Sequence, residues 1–306
     1  MRRVRDWAVL AASGVLALLI AGHALVPDVA GVGTLLDSAA PWLGLVIPIV
    51  VVVGLALRTR ATAAALVPVL VWCGMFGANL IPHASAASGE LRVVSQNLYA
   101  DNDDPAATAA DLAATSADVI GVQELTGAAR KAVGKAFDED HPHHETIGTV
   151  GLWSRFPVDR AEPVDLGLGW TRAMRARVRT PQGAVEIYVA HLPSLRPDTV
   201  DQRNRALSAL AEALISDDSR NAIVLGDLNT ASTDRAMGLL PAKARPAHQG
   251  FAFTWPANAP MVRLDHVLFW GVRPTATAVV RTRGADHRAV LADFAFEDRA
   301  GANTED

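Results

Sequence analysis

The sequence predicts a layered α/β domain preceded by three transmembrane helices. Three observations lead there. Half of the 306 residues are hydrophobic and the mean hydropathy is +0.20; the apolar residues crowd into the part before residue 90; and from Glu90 onward short β-rich runs alternate with Ala-rich amphipathic stretches. At roughly 150 residues per domain this length would suit two soluble domains, but the composition is too apolar for that.

Residues 8–26, 39–57 and 61–81 are almost wholly apolar, and each has the roughly 20 residues that a bilayer core requires. Arg2, Arg3 and Arg5 precede the first run and Arg58 and Arg60 separate the second from the third, whereas the loop 27–38 carries only Asp28 and Asp37. The positive-inside bias therefore puts the amino terminus and the Arg58–Arg60 turn in the cytoplasm, and three crossings put everything after Ile81 outside it. The organisation expected is a membrane anchor over 1–82, a small polar linker over 83–89, a catalytic domain over 90–297 and a polar tail over 298–306. The first run also resembles a signal peptide. The third, followed by Pro82 and Ala84-Ser85-Ala86, has the order of a secretory cleavage signal, although a flexible tether has the same composition.

Beyond residue 89 there are 23 basic and 29 acidic residues, a balance unlike that of a basic nucleic-acid coat. Cys73 is the single cysteine and lies in an apolar run, which excludes a disulfide framework and a cysteine metal site. Within this part, 91–98, 118–125, 185–192, 221–228, 264–270 and 289–296 read as strands, several continuously apolar and so buried on both faces. Residues 105–115, 127–137 and 198–215 read as helices, the last with Leu207, Leu210 and Leu214 on its apolar face.

Polar residues stand at the ends of these strands. Asn97 ends the first and Glu124 the second; His191 closes the third; Asp227 and Asn229 follow the apolar run 223–226; Asp265 lies beside His266; Asp286 and His287 precede the last strand. Any one of them could cap a turn or brace a loop. Gathered at successive strand ends of an α/β domain, they mark a site.

The motifs Ser95-Gln96-Asn97-Leu98, Gly121-Val122-Gln123-Glu124-Leu125, Leu152-Trp153-Ser154-Arg155-Phe156-Pro157, Ala190-His191-Leu192, Gly226-Asp227-Leu228-Asn229, Thr254-Trp255-Pro256 with Arg263-Leu264-Asp265-His266-Val267, and Ala285-Asp286-His287-Arg288 together resemble the endonuclease/exonuclease/phosphatase superfamily. The resemblance covers about residues 90–296. It implies a four-layer sandwich of class α/β (α+β), with two packed sheets flanked by helices and a site where the sheet edges meet.

The resemblance also implies roles. Glu124 is the principal ligand of Mg²⁺ or Mn²⁺, with Asn97 and Asp286 either as further ligands or as supports behind them, since hard oxygen donors select such ions. Asp227 and Asn229 position and polarise the attacking water. Asp265 orients His287, and His287 and His191 hold phosphoryl oxygens; whether Asp227 or His287 takes the proton stays open. In deoxyribonuclease-like members the histidine matching His191 has an upstream glutamate partner, for which Glu145 and Glu162 are the candidates here.

Other features read more plainly. His141, His143 and His144 suit a solvated loop better than a metal site. Arg172, Arg175, Arg177 and Arg179 alternate along a strand face, either at a solvent edge or meeting phosphates, and Trp153 and Trp255 read as packing residues. The function expected is a membrane-anchored, extracytoplasmic, Mg/Mn-dependent phosphoesterase, a nuclease or general phosphodiesterase whose partners are a nucleic-acid or phospholipid substrate and the cell membrane. The alternatives are a lipid phosphodiesterase or phosphatase on the same site and a catalytically silent scaffold. A transporter is disfavoured because the spans lack charges.

Overall fold

The computed structural model describes residues 2–81, 89–196 and 198–297; the Ala84-Ser85-Ala86 segment and the tail beyond 297 lie outside them. Three helical segments, Arg2–Leu25, Val32–Ala56 and Arg60–Leu80, are long and apolar enough to cross a membrane. Their α-helical parts are α1 (Arg2–Gly22), α2 (Val32–Ala39), α3 (Val46–Ala56) and α4 (Leu66–Phe76). The second segment begins at Val32, ahead of the expected 39. Asp37 made that stretch look like loop, yet its carboxylate is fully buried and accepts hydrogen bonds from His23 Nδ1 at 2.8 Å and from Arg235. A buried charge is tolerated when it is paired and hydrogen-bonded in this way.

The two ends of the helices differ. At one, Thr59 hydrogen-bonds Asp6 close to the arginine turn. At the other, Arg235 donates to Asp37 Oδ2 at 2.6 Å, to the Val26 carbonyl at 2.6 Å and to the His23 carbonyl at 2.9 Å. Trp42 Nε1 donates to the Met261 carbonyl at 2.7 Å, and its ring stacks on Phe253 at 5.5 Å. The α/β part thus docks on the ends remote from Arg2, Arg3, Arg5, Arg58 and Arg60.

In chain order its strands and helices are β1 (Leu91–Asn97), α5 (Pro105–Ala113), β2 (Val119–Gln123), α6 (Gly127–Phe137), β3 (His143–Ile147), β4 (Val150–Ser154), β5 (Val158–Pro163), β6 (Ala173–Thr180), β7 (Gly183–His191), α7 (Val200–Ile215), β8 (Ala222–Asp227), β9 (Arg245–Pro246), β10 (Asp265–Trp270), β11 (Val272–Val280) and β12 (Ala289–Phe296). They form two six-stranded sheets, ordered β11-β12-β1-β2-β4-β3 and β5-β6-β7-β8-β10-β9.

The sheets pack face to face through Val93, Val119, Leu152, Ile187, Leu225, Val267 and Phe294. α5 and α6 cover one sheet through Leu112, Val133 and Phe137 against Ile120 and Trp153. α7 covers the other through Leu207, Leu210 and Leu214 against Tyr188 and Val224, each such side chain contributing about 1.5–3 kcal/mol. The expected four-layer sandwich is present.

Several expectations change locally. His143 and His144 open β3, with His144 exposed but stacked on Trp153, while His141 is buried, bonds the Ala117 carbonyl at 2.8 Å and meets Phe137 edge-on; the segment is a sheet margin and not a loop because these two rings pack on Trp153 and Phe137. Arg175 and Arg177 pair with Glu186, and Arg179 pairs with Asp159, so that arginine face is neutralised by the chain itself. Trp153 is core, as expected. Trp255 is 40% exposed.

Candidate active site

Strand register assembles the centre. His191, Asp227 and Asp265 stand side by side on β7, β8 and β10, because β8 pairs in parallel with one neighbour and antiparallel with the other and all three strands stop at the same edge. Gly226 permits this: a Cβ there would lie 2.1 Å from the Ala190 carbonyl oxygen. In the facing sheet, Asn97 and Gln123 end β1 and β2 in register, and Glu124 follows. Its φ of 56° and that of Asn229 at 46° are left-handed, a conformation that costs a non-glycine residue about 1–3 kcal/mol and clusters at functional positions.

Asp227, buried, sits at the middle. Its Oδ2 accepts from Asn97 Nδ2 at 3.0 Å and Asn229 Nδ2 at 3.1 Å, and its Oδ1 accepts from the Asn229 backbone N–H at 2.9 Å. His287 Nε2 and His191 Nε2 each lie 3.8 Å from it. His287 Nδ1 is 2.8 Å from Asp265 Oδ2, a contact that assigns the Nδ1 proton to this bond and turns Nε2 toward Asp227. Gln96 Nε2 steadies the His287 carbonyl at 3.2 Å, and Thr282 holds Gln96.

Burial pushes the Asp227 carboxyl well above the usual carboxylate range; His287 opposes this and Asp265 adds to it. Burial also works against a charged His287, but Asp265 and Asp227 outweigh it and lift the imidazole well above its ordinary value. Asp227, Asp265 and His287 are close enough together to share one ion. Within that trio, His287 Nδ1 and Asp265 Oδ2 are already joined to each other.

Glu124 lies beside Asp227. It accepts from Asn97 Nδ2 at 3.1 Å and from the Ala100 N–H at 2.6 Å. Asn97 thus gives both amide protons to carboxylates, while its Oδ1 accepts from the Tyr99 N–H at 2.9 Å. Burial raises the Asp286 carboxyl, His287 opposes this and the charge of Glu124 adds to it, and its buried Oδ1 has no hydrogen-bond partner among the described residues. Two repelling carboxylates, one with an orphaned oxygen, suit a hard divalent cation. As it lies, Asn97 positions Glu124 and Asp227.

Neither Glu145, on β3, nor Glu162, beside Arg160, meets His191. Arg172 does, with Nη2 at 2.5 Å from Nδ1 and 2.6 Å from Nε2. Burial, then Arg172 and His287, hold His191 far below its usual value and therefore neutral. Glu124 Oε1 lies 3.5 Å from its Nε2. The arginine run had singled out Arg172 as one of four; its place just before β6, where its carbonyl accepts from the His191 N–H, is what separates it from the other three. Thr254, whose hydroxyl accepts from the Leu264 and Asp265 N–H groups at 3.1 and 3.3 Å, also supports the site, and the sequence offered only its place in a Thr-Trp-Pro motif.

Beneath Asn229, Arg203 is fully buried. It donates to the Asn229 carbonyl at 3.1 Å and lies 2.8 Å from Asp234. Arg203→Ala is expected to cost about 3–5 kcal/mol by stranding a buried charge. Urea denaturation measures it, and adding Asp234→Leu should recover part of the loss.

Two packed sheets ringed by helices, with carboxylates and imidazoles converging at one edge, define a hydrolase of ester bonds. The model of the Endonuclease/Exonuclease/phosphatase family matches residues 94–287, and the chain belongs to that family. No curated protein sequence matches the chain. Among solved structures it is similar to a humanized TDP2 of D. rerio carrying 14 mutations, at 20% identity over 67% of this chain and 98% of that one, with a TM-score of 0.58. It is similar to sphingomyelinase C from Streptomyces griseocarneus at 18% identity over 66% and 98%, TM-score 0.54. A beta toxin variant from Staphylococcus aureus with bound magnesium ions aligns at 13% identity over 66% and 99%, TM-score 0.51. Identities this low establish the shared fold.

Proposed function

We propose that this chain is a membrane-anchored, extracytoplasmic, divalent-metal-dependent phosphodiesterase. The observation that carries the reading is the convergence of Asp227, Asp265–His287 and the Glu124–Asp286 pair where the edges of the two sheets meet. Asp227, braced by Asn97 and Asn229, accepts the proton of the attacking water. His287, kept charged and oriented by Asp265, donates from Nε2 to a phosphoryl oxygen, and neutral His191 with Arg172 holds another. Mg²⁺ or Mn²⁺ held by Glu124 and Asp286 would neutralise charge on the phosphoryl group.

The anchor is read from the three apolar segments and from the docking of the α/β part on the ends remote from the arginines. A reporter fused after Asp306 is expected to work only if it functions outside the cytoplasm; a cytoplasmically active fusion overturns the topology. The activity is tested with the full chain in detergent, supplied with Mg²⁺ and Mn²⁺ and offered bis-p-nitrophenyl phosphate, plasmid DNA, RNA and sphingomyelin. Hydrolysis of none of them by the wild-type chain would sink the reading.

A further inference from the structure

The helices and the α/β part line an open cavity of about 300 Å³, at the lower end of the range for ligand pockets, about 300–1,000 Å³. Trp42, Leu45, Trp72 and Cys73 wall it from the helices, and Phe251 and Phe253 wall it from the α/β part. The lining is almost entirely apolar; Trp72 Nε1 is satisfied by the Pro41 carbonyl at 2.7 Å and Trp42 Nε1 by Met261. Leu45, Leu70 and Leu80 on the same segments present exposed side chains, a surface that suits hydrocarbon. Tryptophans near the ends of spanning helices mark the membrane–water boundary, and Trp42, bonded to the Met261 carbonyl and stacked on Phe253, is where the α/β part docks.

The cavity and the catalytic edge are two sides of one strip of chain. Phe253 lines the cavity, the hydroxyl of Thr254 accepts from the Asp265 N–H at 3.3 Å, and Trp255 stands beside the Asp286 carboxyl. From Phe253 to Trp255 the backbone spans at most about 7 Å. Trp255 and Met261 are exposed along the same lip, and Met261 is the residue tied to Trp42.

We infer that this cavity takes one acyl chain of a bilayer lipid and so brings that lipid's phosphodiester to the Asp227–His287 centre. The occupant is an acyl chain because the walls are continuous with the surface that faces the bilayer and because, in a phospholipid, only a short polar backbone separates tail from phosphate. The inference rests on the proposed hydrolase and membrane readings, and it narrows the substrate to one embedded in the membrane.

The test uses the full chain in nanodiscs of phosphatidylcholine bearing a diazirine in one acyl chain, with adducts mapped by mass spectrometry. Adducts are expected on Phe251–Phe253, a segment that lipid packed only around the outside of the helices does not reach. Cys73→Trp and Val69→Phe fill the cavity from different points and should each remove that adduct. On vesicles of phosphatidylcholine, phosphatidylglycerol and sphingomyelin, both variants should lose about tenfold in lipid hydrolysis, equivalent to roughly 1.4 kcal/mol. Bis-p-nitrophenyl phosphate should be cleaved at the wild-type rate, which also certifies the fold. Adducts confined to outward-facing Val67 and Leu70, or a cross-link to a second copy of the chain in place of lipid, overturn the inference. So does a wild type that cleaves the soluble diester but no vesicle lipid, and in that case the hydrolase reading stands. If neither substrate is cleaved, the hydrolase reading itself has failed.

Discussion

Replacing His287 by alanine is expected to lower kcat on a soluble phosphodiester by about 10² or more, the usual size of an acid–base contribution. The imidazole is fixed at both ends, by Asp265 at 2.8 Å on Nδ1 and by Asp227 opposite Nε2, so its loss removes an oriented donor and no core volume between the sheets. Asp265→Ala should cost nearly as much, because an unanchored His287 loses both its orientation and the charge that lifts its affinity for a proton. The double variant should be little worse than either single one, as expected of residues acting as a unit. Asp227→Asn should fall by a similar factor. Circular dichroism and thermal unfolding establish that each variant is folded. Wild-type rates in both His287→Ala and Asp227→Asn would show that the chemistry lies elsewhere.

Chelation is expected to abolish turnover altogether, and Mg²⁺ or Mn²⁺ to restore it. Glu124 raises the cost of charge on Asp286, and the buried Asp286 Oδ1 lacks a hydrogen-bond partner among the described residues; a divalent cation relieves both. Glu124→Gln keeps the acceptor for the Ala100 N–H but removes the charge, so it should raise the Mg²⁺ concentration needed for half-maximal rate while leaving thermal stability near that of the wild type. Undiminished turnover in excess EDTA would eliminate the metal.

The apolar runs that became β1, β2, β7, β8, β10 and β12 were legible because they are buried on both faces and need no partner's identity to be recognised. β3, β5 and β11 were not: His143–Ile147, Val158–Pro163 and much of Val272–Val280 keep one face in solvent at sheet margins, and a half-exposed strand with irregular polarity reads as loop; β4, buried throughout but only five residues long, was also missed. Trp255 read as a packing residue for the same reason, since its exposure depends on where the lip meets Trp42 and Met261 rather than on its neighbours in sequence.

By itself the sequence determined the three apolar segments, the family and the chemical types gathered at strand ends, because composition, periodicity and short motifs are local properties. Only the tertiary structure decided which of these groups face one another. It placed Arg172, and neither Glu145 nor Glu162, against His191. It paired Asp37 with Arg235 across 198 residues of chain, which turned an apparent loop acid into the bolt between helices and α/β part. The physical reason is that a charge or a ring nitrogen takes its character from what is buried beside it, and in this fold that neighbour comes from a distant strand or helix brought up by sheet register and packing.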